Sequence, residues 1–372
     1  MNKKILLFAN SDSNYIHFRM NLIKKLLNLN YKVFIIVSSR AKFRDIQNKN
    51  LFLINLKFSS HNTNFFLEII LLLKIFFIYL KIKPDFVLHF TIKPNIYGSV
   101  IAKILKIKSI NNITGLGNVF LSKNKLRFFY LFLYKLSIKK SFHNFFQNKS
   151  DLRYFRFKKI INSSINNYSI IPGSGIDLSR YTFQKYPDLN KLNFLYVGRL
   201  IKQKGIVEFI EAAKQIKSKF KNCNFIVAGD FEKENSSSVS IQYFENAIKN
   251  KHIEYLGYIN NIKNIIKKCH VIVLPSYREG LSHSLLLSAA IGRPLIASHT
   301  PGCRELILEG NNGFLIRSKN VDSLIYKISK FINLSNEKKI IMGNNSRKLV
   351  IDKFDERIVI DQYLNYINKE KL

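Results

Sequence analysis

Short apolar runs alternate with longer amphipathic segments along most of the chain. Runs of this length, without alternating polar positions, are typical of strands buried on both faces. Because helical segments separate the runs, the pattern predicts a parallel, doubly wound α/β sheet. In the second half the predicted strands are residues 193–198, 223–228, 253–257, 271–275, 295–298 and 313–316.

The first half shows the same alternation with longer helical segments. A first strand is predicted to end at Asn10 and to lead into one helix that runs to about Leu29. No G-x-G-x-x-G sequence follows that strand, so a dinucleotide-binding fingerprint is missing where it would stand. Further strands are predicted at 31–38, 51–56, 85–90 and 145–148, and in a segment that closes at 112–117.

Two helical segments of the first half are unusually apolar. A membrane span needs about 20 uninterrupted apolar residues, whereas Glu68 and Lys74 interrupt residues 65–83. That segment is therefore predicted to be a core-facing or interfacial helix. Residues 125–143 mix cations with aromatic residues, which is typical either of a helix at a bilayer surface or of an ordinary helix packed against the sheet.

Length and composition predict a two-domain globular protein. A chain of 372 residues exceeds one ordinary core, and 47% hydrophobic residues with mixed charges exclude a disordered chain. The polar, tyrosine-containing residues 178–190 form the best candidate boundary. We predict domains at 1–185 and 186–350, followed by a terminal helical segment at 351–372.

The net charge of +36 is unevenly distributed. Residues 1–185 hold 31 Lys and Arg against 6 Asp and Glu, whereas residues 186–372 hold 29 against 18. No acidic residue occurs between Asp85 and Asp151. Three explanations remain open: the coding bias of an AT-rich genome, nucleic-acid binding, and attraction to an anionic membrane.

Cysteine usage and the N-terminus favour a cytoplasmic location. Cys223, Cys269 and Cys303 form no C-x-x-C pair and fit no zinc spacing, so they are interpreted as small buried residues in a reducing compartment. The apolar run near Met1 is too short for a signal peptide and is interpreted as the first strand.

The candidate chemistry of the second half lies where predicted strands lead into helices. Glu279 and Gly280 follow one buried strand, and Arg199 and Lys204 follow another. Ligands of open α/β sheets bind beyond the carboxyl ends of the strands, near helix N-termini. A solvated loop glutamate and ordinary surface cations are the alternatives.

Several short sequences of the second half occur together, in order, over most of residues 193–333. Together they resemble the donor-nucleotide half of the retaining family 4 glycosyltransferases. The resemblance implies the GT-B fold, in which two Rossmann-like doubly wound α/β domains face each other across a cleft and the terminal helix returns to the first domain. The sequences are Phe194–Leu200, Lys204-Gly205, Ala228–Asp230, Tyr255–Tyr258, Tyr277–Leu287 and Gly313–Leu315.

The resemblance also implies how a nucleotide-sugar donor, with UDP as the expected nucleotide, is bound. Arg199 and Lys204 would bind the diphosphate, whose growing negative charge needs fixed cations and backbone amides. Glu279 would act in catalysis, and the region of Tyr258 would hold the base. The backbone at Gly280, Leu281 and Ser282 would hold the donor sugar and phosphate, and the glycines Gly198 and Gly117 would allow close approach to the donor.

The family transfers sugars with retention, and front-face attack needs no enzymic nucleophile. No D-x-D sequence occurs in the chain. We therefore expect no metal cofactor, with cations and helix N-termini taking its place. One departure from the family pattern stands out, because its second motif glutamate is replaced here by Leu287.

Three residues of the first half are candidates for the acceptor side. His17 and Arg19 lie near a strand-to-helix junction, and Lys93 follows another predicted strand. We assign His17 a catalytic role and Arg19 and Lys93 a role in acceptor binding; a structural histidine and a solvated lysine are the alternatives. Residues 91–98 and 114–117 resemble bacterial enzymes of surface-glycan assembly, including N-acetylgalactosaminyltransferases that act on undecaprenyl-diphosphate sugars.

These observations predict a glycosyltransferase that adds a hexose or N-acetylhexosamine to a lipid-linked or polysaccharide acceptor. It would work in the cytoplasm, peripherally on the inner face of the cytoplasmic membrane and attracted to its anionic surface. A sugar-nucleotide-binding relative without full activity is the alternative motivated by Leu287. A nucleic-acid-binding protein is less favoured, because no helix-turn-helix, zinc or RNP signature occurs.

Overall fold

The chain forms two compact units. The computed structural model describes residues 3–43, 46–59, 64–115, 125–161, 167–232 and 237–369. One unit comprises Met1–Gly175 together with Arg357–Leu372, and the other comprises Ile176–Glu356. The divisions at 175/176 and 356/357 thus differ from the predicted limits at 185/186 and 350/351.

A parallel sheet is the centre of the first unit. Within the described residues it has seven strands in the order β3-β2-β1-β4-β5-β6-β7. The order reverses beside β1, so β1 pairs with β2 on one side and with β4 on the other. The strands are β1 Lys4–Phe8, β2 Lys32–Val37, β3 Leu51–Asn55, β4 Phe86–Phe90, β5 Lys108–Ile113, β6 His143–Phe146 and β7 Tyr168–Ile170.

Helices cover both faces of this sheet. The first two helices and the last helix of the chain bury apolar residues against one face, and the other helices of the unit pack on the opposite face. The helices are α1 Asp12–Phe18, α2 Met20–Asn28, α3 Phe65–Ile82, α4 Ser99–Ile104, α5 Lys125–Ile138, α6 Lys149–Phe157 and, at the end of the chain, α13 Glu356–Asn368.

The first predicted helix is two helices, so the prediction of one continuous helix to Leu29 was wrong. Arg19 ends α1 and begins α2 with φ −133° and ψ −1°, outside the helical region. Its side chain is buried. The backbone therefore changes direction at the residue whose guanidinium turns into the protein.

The second unit repeats the design around its own parallel sheet. Its described part has six strands in the order β10-β9-β8-β11-β12-β13, which again reverses beside one strand, here β8. The predicted strand at 253–257 is only two residues long, at the edge of the sheet. The strands are β8 Leu192–Val197, β9 Cys223–Ala228, β10 Glu254–Tyr255, β11 Val271–Leu274, β12 Leu295–Ser298 and β13 Gly313–Ile316.

Polar N-caps begin several helices of both units. The Asn64 side chain accepts hydrogen bonds from the first turn of α3, and Asn148 does so for α6, which satisfies otherwise unpaired N–H groups. The remaining helices are α7 Ile206–Lys219, α8 Ile241–Lys249, α9 Lys263–Ile266, α10 His283–Ile291, α11 Val321–Ile332 and α12 Asn336–Lys353.

Two predictions about environment can be checked directly. Cys223, Cys269 and Cys303 are free and buried, as predicted, and burial raises the pKa of the Cys223 thiol to about 11 and that of Cys269 to about 12. Within the described residues, no helix combines the length and apolar character needed to cross a membrane.

Candidate active site

The switch point of the second sheet brings two predicted site residues together. β8 and β11 are neighbouring strands, with Leu195 opposite Ile272. Chains that leave the two strands at such a reversal diverge and leave a crevice beyond their carboxyl ends. Lys204 lies in the loop after β8, and Glu279 lies in the loop after β11.

Lys204 and Glu279 form a two-pronged ion pair. The Lys204 Nζ lies 2.6 Å from Glu279 Oε1 and 2.8 Å from Oε2. Both side chains are mostly buried, with 22% and 12% of their surface exposed. Shielding from solvent strengthens such a pair relative to one on the surface, so the carboxylate fixes the position of the ammonium group.

Backbone contacts hold the two loops against each other. The Gln203 carbonyl accepts hydrogen bonds from the Tyr277 N–H, at 2.9 Å, and from the Ser276 hydroxyl, at 3.2 Å. Gly205 has φ +76°, and a Cβ there would lie 2.2 Å from the Pro275 carbonyl oxygen. Only glycine fits this position, so the Lys204-Gly205 sequence is a packing requirement as well as a source of charge.

A third loop, after β12, supports Glu279 from behind. The N–H of Glu279 donates to the Pro301 carbonyl at 3.0 Å, and that of Ser282 donates to the Gly302 carbonyl at 2.8 Å. Gly302 has φ +81°, and a Cβ there would lie 2.5 Å from the Glu279 Cβ. The sequence did not predict this role of the loop, because it depends on how three strands are ordered.

Arg199 follows β8, as Lys204 does, but it lies in a more open setting. Its guanidinium forms a salt bridge with Glu232, and about half of its side chain is exposed. The Tyr196 hydroxyl donates to the Arg199 carbonyl at 2.9 Å. The backbones of Gly198 and Gly229 are in close contact. A Cβ on Gly229 would lie 1.8 Å from the carbonyl oxygen of Gly198.

The segment from Gly280 to Ser282 leads directly into α10. Gly280 and Leu281 are half-buried. Ser282 is the N-cap of α10, and its side chain accepts a hydrogen bond from the Leu285 N–H. A capped helix start of this kind offers N–H groups and a positive dipole end to an anion.

Leu287 lies inside the second core. Its side chain is 3% exposed and belongs to the apolar cluster beneath α10. The neighbouring Ser288 is fully buried, and its hydroxyl donates to the Ser284 carbonyl at 2.7 Å. The Ser288 hydroxyl is therefore already used within α10.

A buried carboxylate near Lys204 was not identified from the sequence. Glu208, in the first turn of α7, accepts a hydrogen bond from the Tyr277 hydroxyl at 2.7 Å. Burial, and next this contact, raises the pKa of Tyr277 above its ordinary value. The Lys319 ammonium lies 4.8 Å from the centre of the Tyr277 ring. Tyr277 thereby joins the site to two further charged residues.

Two predicted donor residues remain outside this cluster. Tyr258 is largely exposed and follows β10 at the edge of the sheet, where its role in base binding stays a prediction. Gly117 lies outside the described residues. No group of three or more His, Cys, Asp and Glu side chains suited to a metal ion occurs in the described part of the chain.

Arg19 lies at the switch point of the first sheet, where β1 and β4 pair. It is 2% exposed, and its guanidinium carbon lies 4.4 Å from the centre of the Phe90 ring. Its Nη1 donates to the Phe18 carbonyl at 3.1 Å, whereas Nε and Nη2 are buried without a hydrogen-bond partner. Burial lowers the pKa of Arg19 from its ordinary value.

Lys93 is buried and bound to a carboxylate, so it is not the solvated lysine of the alternative interpretation. Its Nζ lies 2.5 Å from Glu68 Oε1 on α3 and donates to the Ser59 carbonyl at 2.8 Å. His17, by contrast, is exposed in the last turn of α1, with its ring 6.2 Å from that of Phe18. The acceptor and catalytic roles of these residues stay predictions.

A buried polar network lies on the face of the first sheet that α3 covers. His89 Nε2 lies 2.8 Å from the Tyr79 hydroxyl, and its Nδ1 lies 2.8 Å from Asn111 Oδ1. The Asn111 amide nitrogen in turn donates to Asn144 at 2.9 Å. Burial lowers the pKa of His89 to about 4, so the imidazole is neutral.

Comparison with known proteins gives a consistent result. Residues 180–349 match the family described as Glycosyl transferases group 1, and residues 4–148 match the family described as Glycosyl transferase 4-like. Over 357 residues, 90% of each chain, the protein is 30% identical to N,N'-diacetylbacillosaminyl-diphospho-undecaprenol alpha-1,3-N-acetylgalactosaminyltransferase from Campylobacter jejuni.

A second relative and a solved structure agree with these matches. The chain is 34% identical over 169 residues to UDP-Gal:alpha-D-GlcNAc-diphosphoundecaprenol alpha-1,3-galactosyltransferase from Escherichia coli, covering 42% of this chain and 43% of that one. Sucrose-phosphate synthase from Thermosynechococcus elongatus matches 99% of both chains with a TM-score of 0.82 at 15% identity. The fold is therefore GT-B, as predicted.

Proposed function

Since this chain belongs to the group 1, or family 4, glycosyltransferases, we propose that it transfers a hexose or an N-acetylhexosamine from a UDP-sugar to a lipid-linked or polysaccharide acceptor in surface-glycan assembly. The relatives from Campylobacter jejuni and Escherichia coli, whose names specify diphospho-undecaprenol-linked acceptors, support the lipid-linked form. The UDP-galactose donor in the second name supports a UDP-sugar.

The ion pair between Lys204 and Glu279 is the observation that carries this proposal. It places one cation, held by a carboxylate, at the carboxyl edge of β8 and β11, beside the N-terminus of α10. As the donor bond breaks, negative charge grows on the leaving diphosphate, and preorganised cations and N–H groups stabilise it. Lys204, Arg199 and the start of α10 supply these groups in the proposed reaction.

Glu279 has two roles in this proposal. It holds the Lys204 ammonium in place, and with the backbone of Gly280 to Ser282 it contacts the donor sugar. The transfer proceeds with retention by front-face attack, in which the departing phosphate oxygen takes the proton of the acceptor hydroxyl. No protein nucleophile and no metal ion take part, so activity is expected to persist in EDTA.

The acceptor contacts of the proposal lie in the first unit. Arg19 has two buried donor nitrogens without a partner, which suits an anionic group such as a phosphate of the acceptor. Lys93 adds a second buried cation after β4, and His17 lies in the exposed last turn of α1. The enzyme works in the cytoplasm, peripherally at the anionic inner face of the membrane.

Release of nucleoside diphosphate from a panel of nucleotide sugars tests the proposal. Wild-type protein is expected to hydrolyse at least one UDP-sugar slowly, and faster when a lipid-linked sugar diphosphate is added. Lys204→Met and Glu279→Gln are each expected to lower kcat/KM by about 100- to 1,000-fold, the usual effect of removing one transition-state-stabilising group.

Lys202→Met is the matched control, because Lys202 is an exposed lysine of the same short turn. Its kcat/KM is expected to stay within about twofold of wild type, as for surface substitutions away from such features. Release from no sugar of the panel, or equal loss in the Lys202 and Lys204 variants, would contradict the proposal.

A further inference from the structure

The outward side of α3 carries a continuous apolar stripe. Leu71, Ile75 and Tyr79 are buried against the sheet. The opposite side of the helix is exposed: the exposed fraction is 74% for Phe66 and 63% for Phe77. Positions three and four apart lie on one side of a helix, and the stripe follows this spacing through Phe66, Ile70, Leu73, Phe77 and Leu80.

A second exposed stripe lies on α5. Phe128 is 67% exposed and Phe132 is 59% exposed, whereas Tyr134 and Ile138 are buried. Lys135 and Lys139 continue the exposed side at the same helical spacing. This stripe therefore carries two large aromatic groups in α5, followed by two cations at and just after the end of the helix.

Both helices cover the same face of the first sheet. Val87 lies in the cluster beneath α3 and pairs with Ser109, while Ile113 lies in the cluster beneath α5. Ser109 and Ile113 are four residues apart on β5, so their side chains point to the same face. Tyr97 packs against both clusters. The outward sides of α3 and α5 thus form one surface, which we call the α3–α5 face.

The charges around the α3–α5 face are almost all positive. Lys74 and Lys81 flank the stripe of α3, and Lys135, Lys139 and Lys140 lie along α5 and just after it; all are exposed. Glu68 is the one acidic residue in the sequence of the two helices. It is bound to Lys93, and only 15% of its side chain is exposed.

We propose that the α3–α5 face docks on a lipid bilayer that contains anionic lipids. Exposed aromatic side chains enter the interface while neighbouring lysines reach the headgroups. Each lysine near an anionic surface strengthens binding by about fivefold. A second copy of this chain fits less well, because it would bring a surface of the same positive charge against this one.

The docked face is linked to the predicted acceptor side through one ion pair. Glu68, in the first turn of α3, binds Lys93, which follows β4 near the switch point of the sheet. This inference rests on the proposed function only for its acceptor, a lipid-linked sugar. Docking itself depends on the surface and is measured without any sugar.

Sedimentation with phosphatidylcholine vesicles, with and without phosphatidylglycerol, tests the inference. Wild-type protein is expected to bind only the anionic vesicles strongly, and less in high salt. The double variants Phe66→Ser/Phe77→Ser and Phe128→Ser/Phe132→Ser are each expected to weaken binding by at least about tenfold, from the lost burial of two aromatic rings.

The double variant Ile340→Ser/Ile341→Ser is the matched control. These residues are partly exposed apolar side chains on α12 of the second unit, and vesicle binding is expected to stay unchanged. Release of UDP from a UDP-sugar without vesicles should be the same in all three double variants and in wild type, which excludes misfolding.

The outcomes separate docking from catalysis. Vesicle binding that depends on the phenylalanines supports docking even if no UDP-sugar is turned over. Vesicle binding unchanged in both phenylalanine variants overturns the inference, even if the glycosyltransferase proposal holds. Wild-type dimers that become monomers in these variants also overturn it, because a second copy would then cover the face.

Discussion

The two sheets of this protein reverse their strand order in the same way but place polar residues differently. In the second unit, β11 and β12 are apolar throughout except for Ser298 at the end of β12. The polar side chains of the candidate site, Lys204 and Glu279, lie in the loops that follow β8 and β11. In the first unit, His89, Asn111 and Asn112 lie within β4 and β5 and are fully buried.

The outer surfaces of the two units differ as well. The first unit holds 32 Lys and Arg against 7 Asp and Glu, or +25, and the second holds 28 against 17, or +11. Large exposed aromatic residues are concentrated on α3 and α5 of the first unit. The candidate site of the second unit thus lies at one sheet edge, whereas the first unit carries a polar network within its sheet and exposed aromatic residues on its helices.

The largest expected effect concerns His89, in β4 of the first sheet. His89 has a pKa of about 4 in the folded protein against 6.5 ordinarily, so the unfolded chain binds the proton first. The contribution of the neutral His89 imidazole to the free energy of unfolding is fully present above about pH 6.5, and it falls as the pH drops toward 4. Between pH 7.5 and 4.5 protonation of this residue is expected to cost about 2–3 kcal/mol of unfolding free energy.

Urea unfolding of wild type and His89→Gln at several pH values measures this cost. The variant is expected to lose less stability below pH 6.5, by about the same 2–3 kcal/mol. Above pH 7.5 the two proteins should show equal slopes, which serves as the internal control. Parallel curves down to pH 4.5 would mean that the buried network does not suppress protonation, and the contrast between the two sheets would weaken.

The next effect tests whether the chemistry of the second unit depends on its loops. Gly302→Ala places a Cβ 2.5 Å from that of Glu279 at a φ of +81°, and such strain costs about 1–3 kcal/mol. Because Glu279 must move, UDP release is expected to fall by about 10- to 100-fold, at ~1.4 kcal/mol per decade.

Gly310→Ala provides the matched control. Its φ is +75°, yet a Cβ there meets nothing within 4 Å. This variant should lose a similar amount of stability from backbone strain while keeping its activity. Equal losses of activity in both variants would show that strain alone, and not displacement of Glu279, is responsible.

The smallest expected effect concerns Leu287. Leu287→Glu restores the family glutamate. Charged hydrogen bonds from its carboxylate to the donor would be worth about 1.5–3 kcal/mol. Since Leu287 is a core residue, part of that gain is offset by the cost of placing a carboxylate there. We expect donor KM to fall about three- to tenfold, together with a lower Tm, by steady-state kinetics and thermal unfolding.

Leu286→Glu is the control for Leu287→Glu, because both leucines are buried in the same helix. It should lower Tm without improving KM. If the two variants behave alike, ligand contacts of the second unit are confined to its loops, and the comparison with the first unit becomes sharper.

Much of the fold could be predicted because buried parallel strands are short apolar runs. Val271–Leu274 and Leu295–Ser298 were placed to within one residue for this reason. β7, Tyr168–Ile170, was missed because three residues with a central serine carry no such signal. The break at Arg19 was also missed, because side-chain burial and not local preference sets the backbone there.

The candidate site was predictable only as a set of separate residues. Arg199, Lys204 and Glu279 were identified, but a bond between Lys204 and Glu279 joins positions 75 residues apart and depends on strand order. The support from Gly302 depends on a third strand in the same way. The burial of Lys93 depends on Glu68, which the sequence suggested only as a break in an apolar run.

The return of the chain to the first unit has a consequence for biosynthesis and for protein engineering. α13 contributes Val359, Tyr363, Leu364 and Ile367 to a core whose other members lie before residue 175. Residues 1–175 leave the ribosome first, but the core of the first unit is completed only when α13 has also been synthesised. A single cut at 175/176 would not release an independent domain, whereas the stretch 176–356 is continuous and could be excised whole.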